Sequence, residues 1–122
     1  MKFSFEVPIY HLYDFDEYQD YIFVLGHLCK NETYKSYVVN SNKYKILDNS
    51  AYELGKSIPV KELCDLAEAI RANVIVVPDT LGDVNETLRL TEEFYKEFSV
   101  RQNLRHVKTM IVPQGTNFSE YL

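Results

Sequence analysis

The sequence predicts an α/β fold built from about four parallel strand–helix units, and three observations support this prediction. Four apolar runs of strand length occur along the chain, at residues 21–28, 44–48, 74–78 and 108–113. These runs are almost continuously apolar rather than alternating, which is typical of strands covered on both faces. Amphipathic patterns of helical period separate the later runs, and strand–helix–strand repeats of about 30 residues imply parallel strands joined by right-handed crossovers.

Two of the connecting helices are well marked. The first is predicted within residues 58–72, with Ser57 as its N-cap and Pro59 in its first turn, where a missing N–H costs little. The second is predicted after Asp83, which forms a capping-box pattern with Glu86 three residues later. Helical spacing defines an inward face for each: Val60, Leu63, Cys64, Ala67 and Ile70 in the first, and Val84, Leu88, Thr91, Tyr95 and Phe98 in the second.

The chain reads as a single α/β domain over residues 1–122. With 122 residues and 46% hydrophobic content it is long enough to bury a core. No linker, low-complexity tract or charge block divides it. Residues 31–42 predict a short helix. Residues 1–20 form an N-terminal extension of uncertain placement, in which "KFSFEVP" could add a strand.

The charge balance bears on the partners to expect. A net charge of −5 and a pI near 5.1 argue against a protein whose affinity comes from neutralising phosphates. A tRNA or DNA substrate held elsewhere, or by a partner, is compatible with this balance. The ten Tyr and seven Phe residues could stack on bases, but such residues more often serve packing.

Cysteine usage and hydropathy indicate a cytoplasmic protein. Cys29 and Cys64 have no CxxC spacing, so neither a zinc site nor a disulfide framework is indicated. No apolar run approaches the ~20 residues needed to cross a bilayer, and no membrane partner is expected. The N-terminus turns acidic too early for a secretion signal, and no motif indicates a metal or a cofactor.

Polar residues stand where the predicted strands end. Asp48 ends the second apolar run, Asp79 follows the third, and Gln114 follows the fourth. His27 lies near the end of the first run. In a parallel sheet every strand has its carboxyl end at the same edge, and ligands of α/β proteins bind at that edge. These four side chains are therefore expected on one rim.

A simpler interpretation exists for each position. Asp48, Asn49 and Ser50 could simply form a turn in which the side chains bond to the backbone nearby. Asp79 could simply be the first residue of a turn after Pro78. His27 alone is better interpreted as a hydrogen-bonded histidine near the core. The recurrence of polar residues at three successive strand ends favours a site for the set.

Two carboxylates and an amide suit recognition of a purine-like base. A carboxylate can accept two hydrogen bonds from an amidine-like N–H edge, while Gln114 and the Gly115 N–H serve the ring carbonyl. Tyr52 could stack on such a ring. This pattern predicts a pocket for a guanine-type base and does not by itself imply catalysis.

Three segments carry a resemblance to a known family. "ILDNSAYELG", "VIVVPDTLGD" and "MIVPQGTNFSEYL" together resemble the first half of the tRNA-guanine transglycosylase superfamily. This superfamily includes queuine and archaeosine tRNA-ribosyltransferases, and phage and bacterial relatives that insert 7-deazaguanines into DNA. These enzymes are (β/α)8 barrels that exchange a guanine base for a 7-deazaguanine. The match covers roughly residues 21–122.

The resemblance implies roles for the matching residues. Asp48 matches an aspartate that is followed by small residues and an aromatic, and it would act catalytically near the ribose and in proton transfer. Asp79 matches a base-binding aspartate at a later strand end. Gln114 and Gly115 match a Gln-Gly pair that also holds the base.

The sequence departs from the family pattern next to the first aspartate. The usual small residues there include a glycine, and this chain has Ser50 and Ala51 instead. Asn49 and Tyr52 are expected to line the pocket and to reshape it.

A full barrel takes about 250 residues, so four βα units correspond to half of one. In the family, the nucleophilic aspartate and the zinc-binding cysteines of the tRNA enzymes lie in the other half. An open half barrel would expose two strand edges and part of its interior. Three explanations follow. The chain is a fragment of a longer protein, it assembles with a second half or another copy, or it has closed into a different small sheet.

Two functional hypotheses therefore stand side by side. In the first, the chain is a module that recognises guanine or 7-deazaguanine for base exchange and becomes active once a second half supplies the nucleophile. In the second, it is a non-catalytic small protein of phage type that binds a nucleotide-like ligand or a protein partner.

Overall fold

A computed structural model of the chain describes residues 2, 4–6 and 8–112. Within this range the strands are β1 (Tyr21–Leu25), β2 (Tyr44–Asp48), β3 (Val74–Val76) and β4 (Lys108–Met110). The α-helices in the same range are α1 (Leu12–Phe15), α2 (Glu32–Asn40), α3 (Ala51–Leu54), α4 (Val60–Ile70) and α5 (Val84–Ser99). Short 3₁₀ turns occupy Ile9–His11, Asp16–Tyr18, Gly26–Lys30 and Gln102–Leu104.

The described strands form one sheet in the order β1-β2-β3-β4, and every neighbouring pair is parallel. The predicted α/β fold with parallel strands is confirmed. Right-handed crossovers between strands that follow one another in sequence all pass over the same face of the sheet. The three longer helices accordingly form one layer, in which α2 contacts α4 and α4 contacts α5.

The core lies between this helix layer and one face of the sheet. Ile22, Val24, Leu47 and Ile75 point into it and are buried, as are the five α4 residues predicted to face inward. On the opposite face, the alternate residues of β1 and of β2 are only half-buried or exposed. The predicted coverage of both strand faces therefore holds for β3, which is buried throughout, but not for β1, β2 or β4, in which Lys108 and Met110 are exposed.

The start of α4 differs from the prediction. Pro59 is the N-cap residue, and Ser57 makes no capping bond; its Oγ donates to the Ile58 carbonyl at 2.8 Å instead. Proline disfavours helical backbone at the residue before it, so Ile58 cannot enter the helix and Ser57 lies too early to cap it.

The start of α5 agrees with the prediction, and its buried face agrees in part. The Asp83 carboxylate accepts the Glu86 N–H at 2.9 Å and caps the helix. Of the predicted inward residues, Tyr95 and Phe98 pack against the core, whereas Leu88 is 59% exposed. The buried residues of the helix are Thr87 and Phe94. Thr87 is fixed inward because its Oγ1 accepts the Thr80 N–H at 3.0 Å and donates to the Thr80 carbonyl at 3.2 Å.

The predicted first strand, residues 21–28, ends early. Its last three residues belong to a 3₁₀ turn that begins at Gly26. Gly26 packs so closely that a Cβ atom there would lie 2.7 Å from the Asp48 carbonyl oxygen and 2.6 Å from Ile58 Cδ1. The turn after β1 is therefore pressed against the carboxyl end of β2.

We expect Gly26→Ala to lower the free energy of unfolding by about 1–3 kcal/mol, since the Asp48 backbone cannot yield as a flexible side chain would. Urea unfolding followed by circular dichroism measures the change. An unfolding midpoint equal to that of the unsubstituted chain would contradict this tight packing.

The N-terminal segment lies along the outer edge of β1. The described residues among 2–8 form no strand, in contrast to the extra strand considered for "KFSFEVP". Instead, Ser4 Oγ accepts the Phe23 N–H at 3.1 Å, and the Tyr34 hydroxyl accepts the Leu25 N–H at 2.9 Å. Gln19 anchors the N-terminal segment, because its Oε1 accepts the Phe5 N–H at 3.1 Å. These bonds satisfy the outward N–H groups of an edge strand.

Candidate functional site

The carboxyl edge of β1, β2 and β3 gathers most of the predicted site residues. Asp48 ends β2 and pairs in register with Leu25 at the end of β1. Asn49 reaches across to Asp79, which follows β3, and the atoms Asn49 Nδ2 and Asp79 Oδ1 are 2.7 Å apart. We call Asp48, Asn49, Ser50 and Asp79 the rim. Gln114 and Gly115 lie outside the described residues.

Asn49 is the link between the two strand ends. Its side chain is buried, its Nδ2 donates to Asp79 Oδ1 and to the Val77 carbonyl at 2.8 Å, and its Oδ1 accepts the Ala51 N–H at 2.8 Å. Both amide N–H donors are thus used within the protein. Asn49 therefore orients Asp79 and the turn that follows β2, whereas the sequence suggested that it lines the pocket.

Ser50 is held in a left-handed conformation at the same turn. Its φ is 64°, and its N–H donates to Asp48 Oδ2 at 2.9 Å. Its Oγ accepts the His27 N–H at 3.0 Å and lies 2.8 Å from His27 Nδ1. The fully buried Ser50 side chain consequently joins the turn after β1 to the turn after β2. The interpretation of His27 as a hydrogen-bonded histidine agrees with this contact.

Asp79 is almost fully buried and its surroundings are firmly anchored. It is 4% exposed, accepts a hydrogen bond from Asn49, and precedes Thr80, which forms an antiparallel bridge with Lys56. Thr80 is also bonded to Thr87 at the start of α5. Asn49 thus holds the carboxylate itself, while Lys56 and Thr87 hold the residue that follows it, and such anchoring is the preorganisation that a recognition group needs.

Asp48 is the more accessible of the two carboxylates and is half-buried. Burial raises the pKa of Asp48 above its usual range; the nearby Glu53 and Asp79 carboxylates add to this effect, while the N–H groups of Ser50 and Asn49 oppose it. A carboxyl group that holds its proton more tightly than usual suits proton transfer.

The raised pKa of Asp48 predicts a pH-dependent effect of Asp48→Asn. In the unsubstituted chain, the folded state holds the Asp48 proton more tightly than the unfolded state, so stability is lost as the pH rises from about 3.8 through the folded-state pKa. The amide introduced by the substitution would carry no charge to bury and could still accept the Ser50 N–H. We expect the variant to be more stable at neutral pH and to lose this advantage below the unfolded-state pKa.

Urea unfolding between pH 3 and pH 8 tests this expectation. Glu92→Gln, an exposed substitution on α5, is the control and should change stability little at any of these pH values. A stability difference between Asp48→Asn and the unsubstituted chain that does not vary with pH would contradict the raised pKa.

Tyr52, predicted to stack on a base, is 83% exposed on α3. Sequence reasoning also missed the contact of Gly26 with Asp48 and the function of Ser50 as a joint between two turns. No local pattern marks either feature, because both depend on how the ends of β1 and β2 meet.

The described residues contain no group of three or more His, Cys, Asp or Glu side chains that could hold a metal ion. Cys29 and Cys64 are buried, free thiols. Across the same residues, every helix is too short or too polar to span a bilayer.

The rim thus has a fixed, buried carboxylate, a second carboxylate with a raised pKa, and an amide that holds the first in place. Such a set can accept hydrogen bonds from the N–H edge of a ligand and can exchange a proton with it. No protein-family model, curated protein or solved structure matches this chain.

Proposed function

We propose that the chain is a transglycosylase-like module that recognises guanine or a 7-deazaguanine for base exchange in tRNA or DNA. The observation that carries the proposal is the convergence of Asp48 and Asp79 on one sheet edge, with Asn49 bonded to Asp79. Asp79 would accept the N–H edge of the base, and Asp48 would serve the ribose and proton transfer. Gln114 and Gly115 would complete base recognition.

Strand order supports a barrel-like half of the tRNA-guanine transglycosylase type. In a (β/α)8 barrel the strands follow one another around the ring in chain order, whereas a doubly wound sheet reverses its order at a switch point. The order β1-β2-β3-β4 with one helix layer has the first arrangement. The half-buried face of β1 and β2 would then be part of the barrel interior, where a second half or another copy would pack.

The conformation of Ser50 supports the family assignment at the position where the sequence departs from the pattern. A positive φ is the backbone state that glycine adopts without strain. Glycine among the small residues of the family pattern would meet the same need that Ser50 meets here at φ 64°. Ser50 would then stand in place of glycine without changing the backbone conformation of the turn.

A complete reaction would need a nucleophilic aspartate from the other half, with a double displacement through a covalent glycosyl intermediate. A cytoplasmic location fits this function, because Cys29 and Cys64 are free thiols, as is typical of the reducing cytoplasm, and because tRNA and DNA are accessible there.

Calorimetry with guanine and with 7-cyano-7-deazaguanine tests base recognition, after the mass of the chain in solution has been determined. Asp79→Asn is the informative variant, because its Oδ1 can still accept the Asn49 N–H while the charge and one acceptor are lost. We expect saturable binding that weakens about 30-fold or more in the variant, the usual cost of removing one partner of a buried charge-assisted pair.

Glu92→Gln is again the control and should bind as the unsubstituted chain does. Two results would overturn the proposal. One is the absence of binding by a well-folded chain. The other is equal binding by the unsubstituted chain and Asp79→Asn. Either result would identify the rim as a structural turn cluster and would direct attention to protein partners.

A further inference from the structure

A groove of about 470 Å³ adjoins the rim, between the turn after β1 and the segment that leads from α3 into α4. The residues of interest in its lining are Gly26, His27, Lys30, Lys56, Ile58 and Glu62. Gly26 contacts the Asp48 carbonyl, and Lys56 forms a bridge with Thr80, the residue after Asp79. The groove is therefore held in a fixed position relative to both carboxylates.

The groove gathers positive charge on a chain whose net charge is −5. Lys30 and Lys56 both line it and are both exposed, and within the described part of the chain neither forms a salt bridge. Glu62 is the carboxylate in the same lining. Within the lining itself two lysines stand against one glutamate, which favours an anion there, although Lys56 also interacts electrostatically with the Glu86 carboxylate.

His27 adds a hydrogen-bond donor to the groove. Ser50 Oγ accepts the His27 backbone N–H, so its own hydroxyl proton is available to His27 Nδ1 at 2.8 Å. A neutral imidazole that accepts at Nδ1 carries its proton on Nε2. His27 therefore brings an Nε2–H donor to the groove that it lines.

We propose that this groove binds a phosphate group of the molecule whose guanine base lies on the rim. The inference rests on the proposed function and extends it: the ligand is a guanine nucleotide or a nucleic-acid strand rather than a free base. Phosphate oxygens accept charge-assisted hydrogen bonds from lysine and from imidazole N–H groups. Lys30, Lys56 and His27 would supply these donors next to the Asp48 end of the rim.

Binding of guanosine, guanosine 5′-monophosphate and a short guanine-containing single-stranded oligonucleotide, measured by calorimetry, tests the proposal. We expect one of the two phosphate-bearing ligands to bind about tenfold more tightly than guanosine, a gain typical of two or three exposed charge pairs. A gain with the monophosphate identifies a phosphomonoester site, and a gain with the oligonucleotide alone identifies a backbone phosphodiester site. The gain should shrink as the salt concentration rises.

The variant that removes the charge is Lys30→Gln/Lys56→Gln, which should abolish the gain and leave guanosine binding unchanged. Lys61→Gln is the matched control, because Lys61 is an exposed lysine on α4 outside the groove lining and should keep the full gain. Equal affinities for guanosine and both phosphate-bearing ligands would overturn the proposal. So would a gain that persists in the double variant.

Amide chemical shifts in a titration with inorganic phosphate separate this inference from the proposed function. Shifts at His27, Lys30 and Lys56 that the double variant lacks would support the groove even where guanosine fails to bind, and the base-recognition proposal alone would then fail. No shift at these residues, with no gain for either phosphate-bearing ligand, would overturn the groove as a phosphate site.

Discussion

Replacing Asn49 with alanine is expected to destabilise the chain by about 2–4 kcal/mol, the range for buried polar groups that lose their partners. The Asn49 side chain is 1% exposed and makes three hydrogen bonds: two join the end of β2 to the end of β3, and one holds the turn after β2. Its removal would leave the Val77 carbonyl and the Ala51 N–H without this partner and would take one donor from the Asp79 carboxylate. Urea unfolding at neutral pH measures the loss.

Two further variants make the interpretation of Asn49 specific. Asn42→Ala, at an exposed position just before β2, should change stability by no more than about 0.5 kcal/mol. Asn49→Asp places a second carboxylate against Asp79, so its stability should recover as the pH falls and one of the two groups takes up a proton. A small effect of Asn49→Ala would show that Asp79 is held in place without Asn49.

The second large effect is expected from Phe94→Ala, with a loss of about 3–5 kcal/mol. The Phe94 ring is fully buried and lies 5.3 Å, centroid to centroid, from the rings of Tyr95 and of Phe98. Alanine would leave a cavity beneath α5 and would remove both aromatic contacts. Chemical unfolding followed by circular dichroism reports the change.

Leu88→Ala on the same helix is the matched control for Phe94→Ala. Leu88 is 59% exposed, and its truncation should change the free energy of unfolding by less than about 1 kcal/mol. A Leu88→Ala loss as large as that of Phe94→Ala would mean that Leu88 is buried, as its sequence spacing predicts, and not exposed as in the structure.

Helices α4 and α5 show which buried residues can be predicted from the spacing of apolar residues and which cannot. The α4 stripe is strongly periodic, and all five of its predicted inward residues are buried. In α5, Tyr95 and Phe98 pack against the core as predicted, but Leu88 is exposed, and the hydrogen bonds of Thr87 with Thr80 bring Thr87 inward instead. Those bonds join a loop to a helix, so residue spacing within the helix does not reveal them.

A similar division applies to the candidate site. That Asp48 and Asp79 share one edge follows from the predicted parallel order of the strands. The bond from Asn49 to Asp79 does not follow, because it depends on the register in which Leu47 faces Ile75. The exposure of Tyr52 on α3 does not follow from the sequence either, and its stacking on a base stays a prediction.

The hydrogen bonds along the outer edge of β1 affect how a further strand could pair with that edge in a larger assembly. In a closed parallel barrel the first strand pairs with the last, which must accept the outward N–H groups of the first. Here Phe23 and Leu25 already donate those groups to Ser4 and Tyr34. A further strand that paired with β1 would therefore have to replace these two bonds. Closing a barrel at β1 would exchange hydrogen bonds and add none at these two positions, because the incoming strand must take the Phe23 and Leu25 N–H groups from Ser4 and Tyr34.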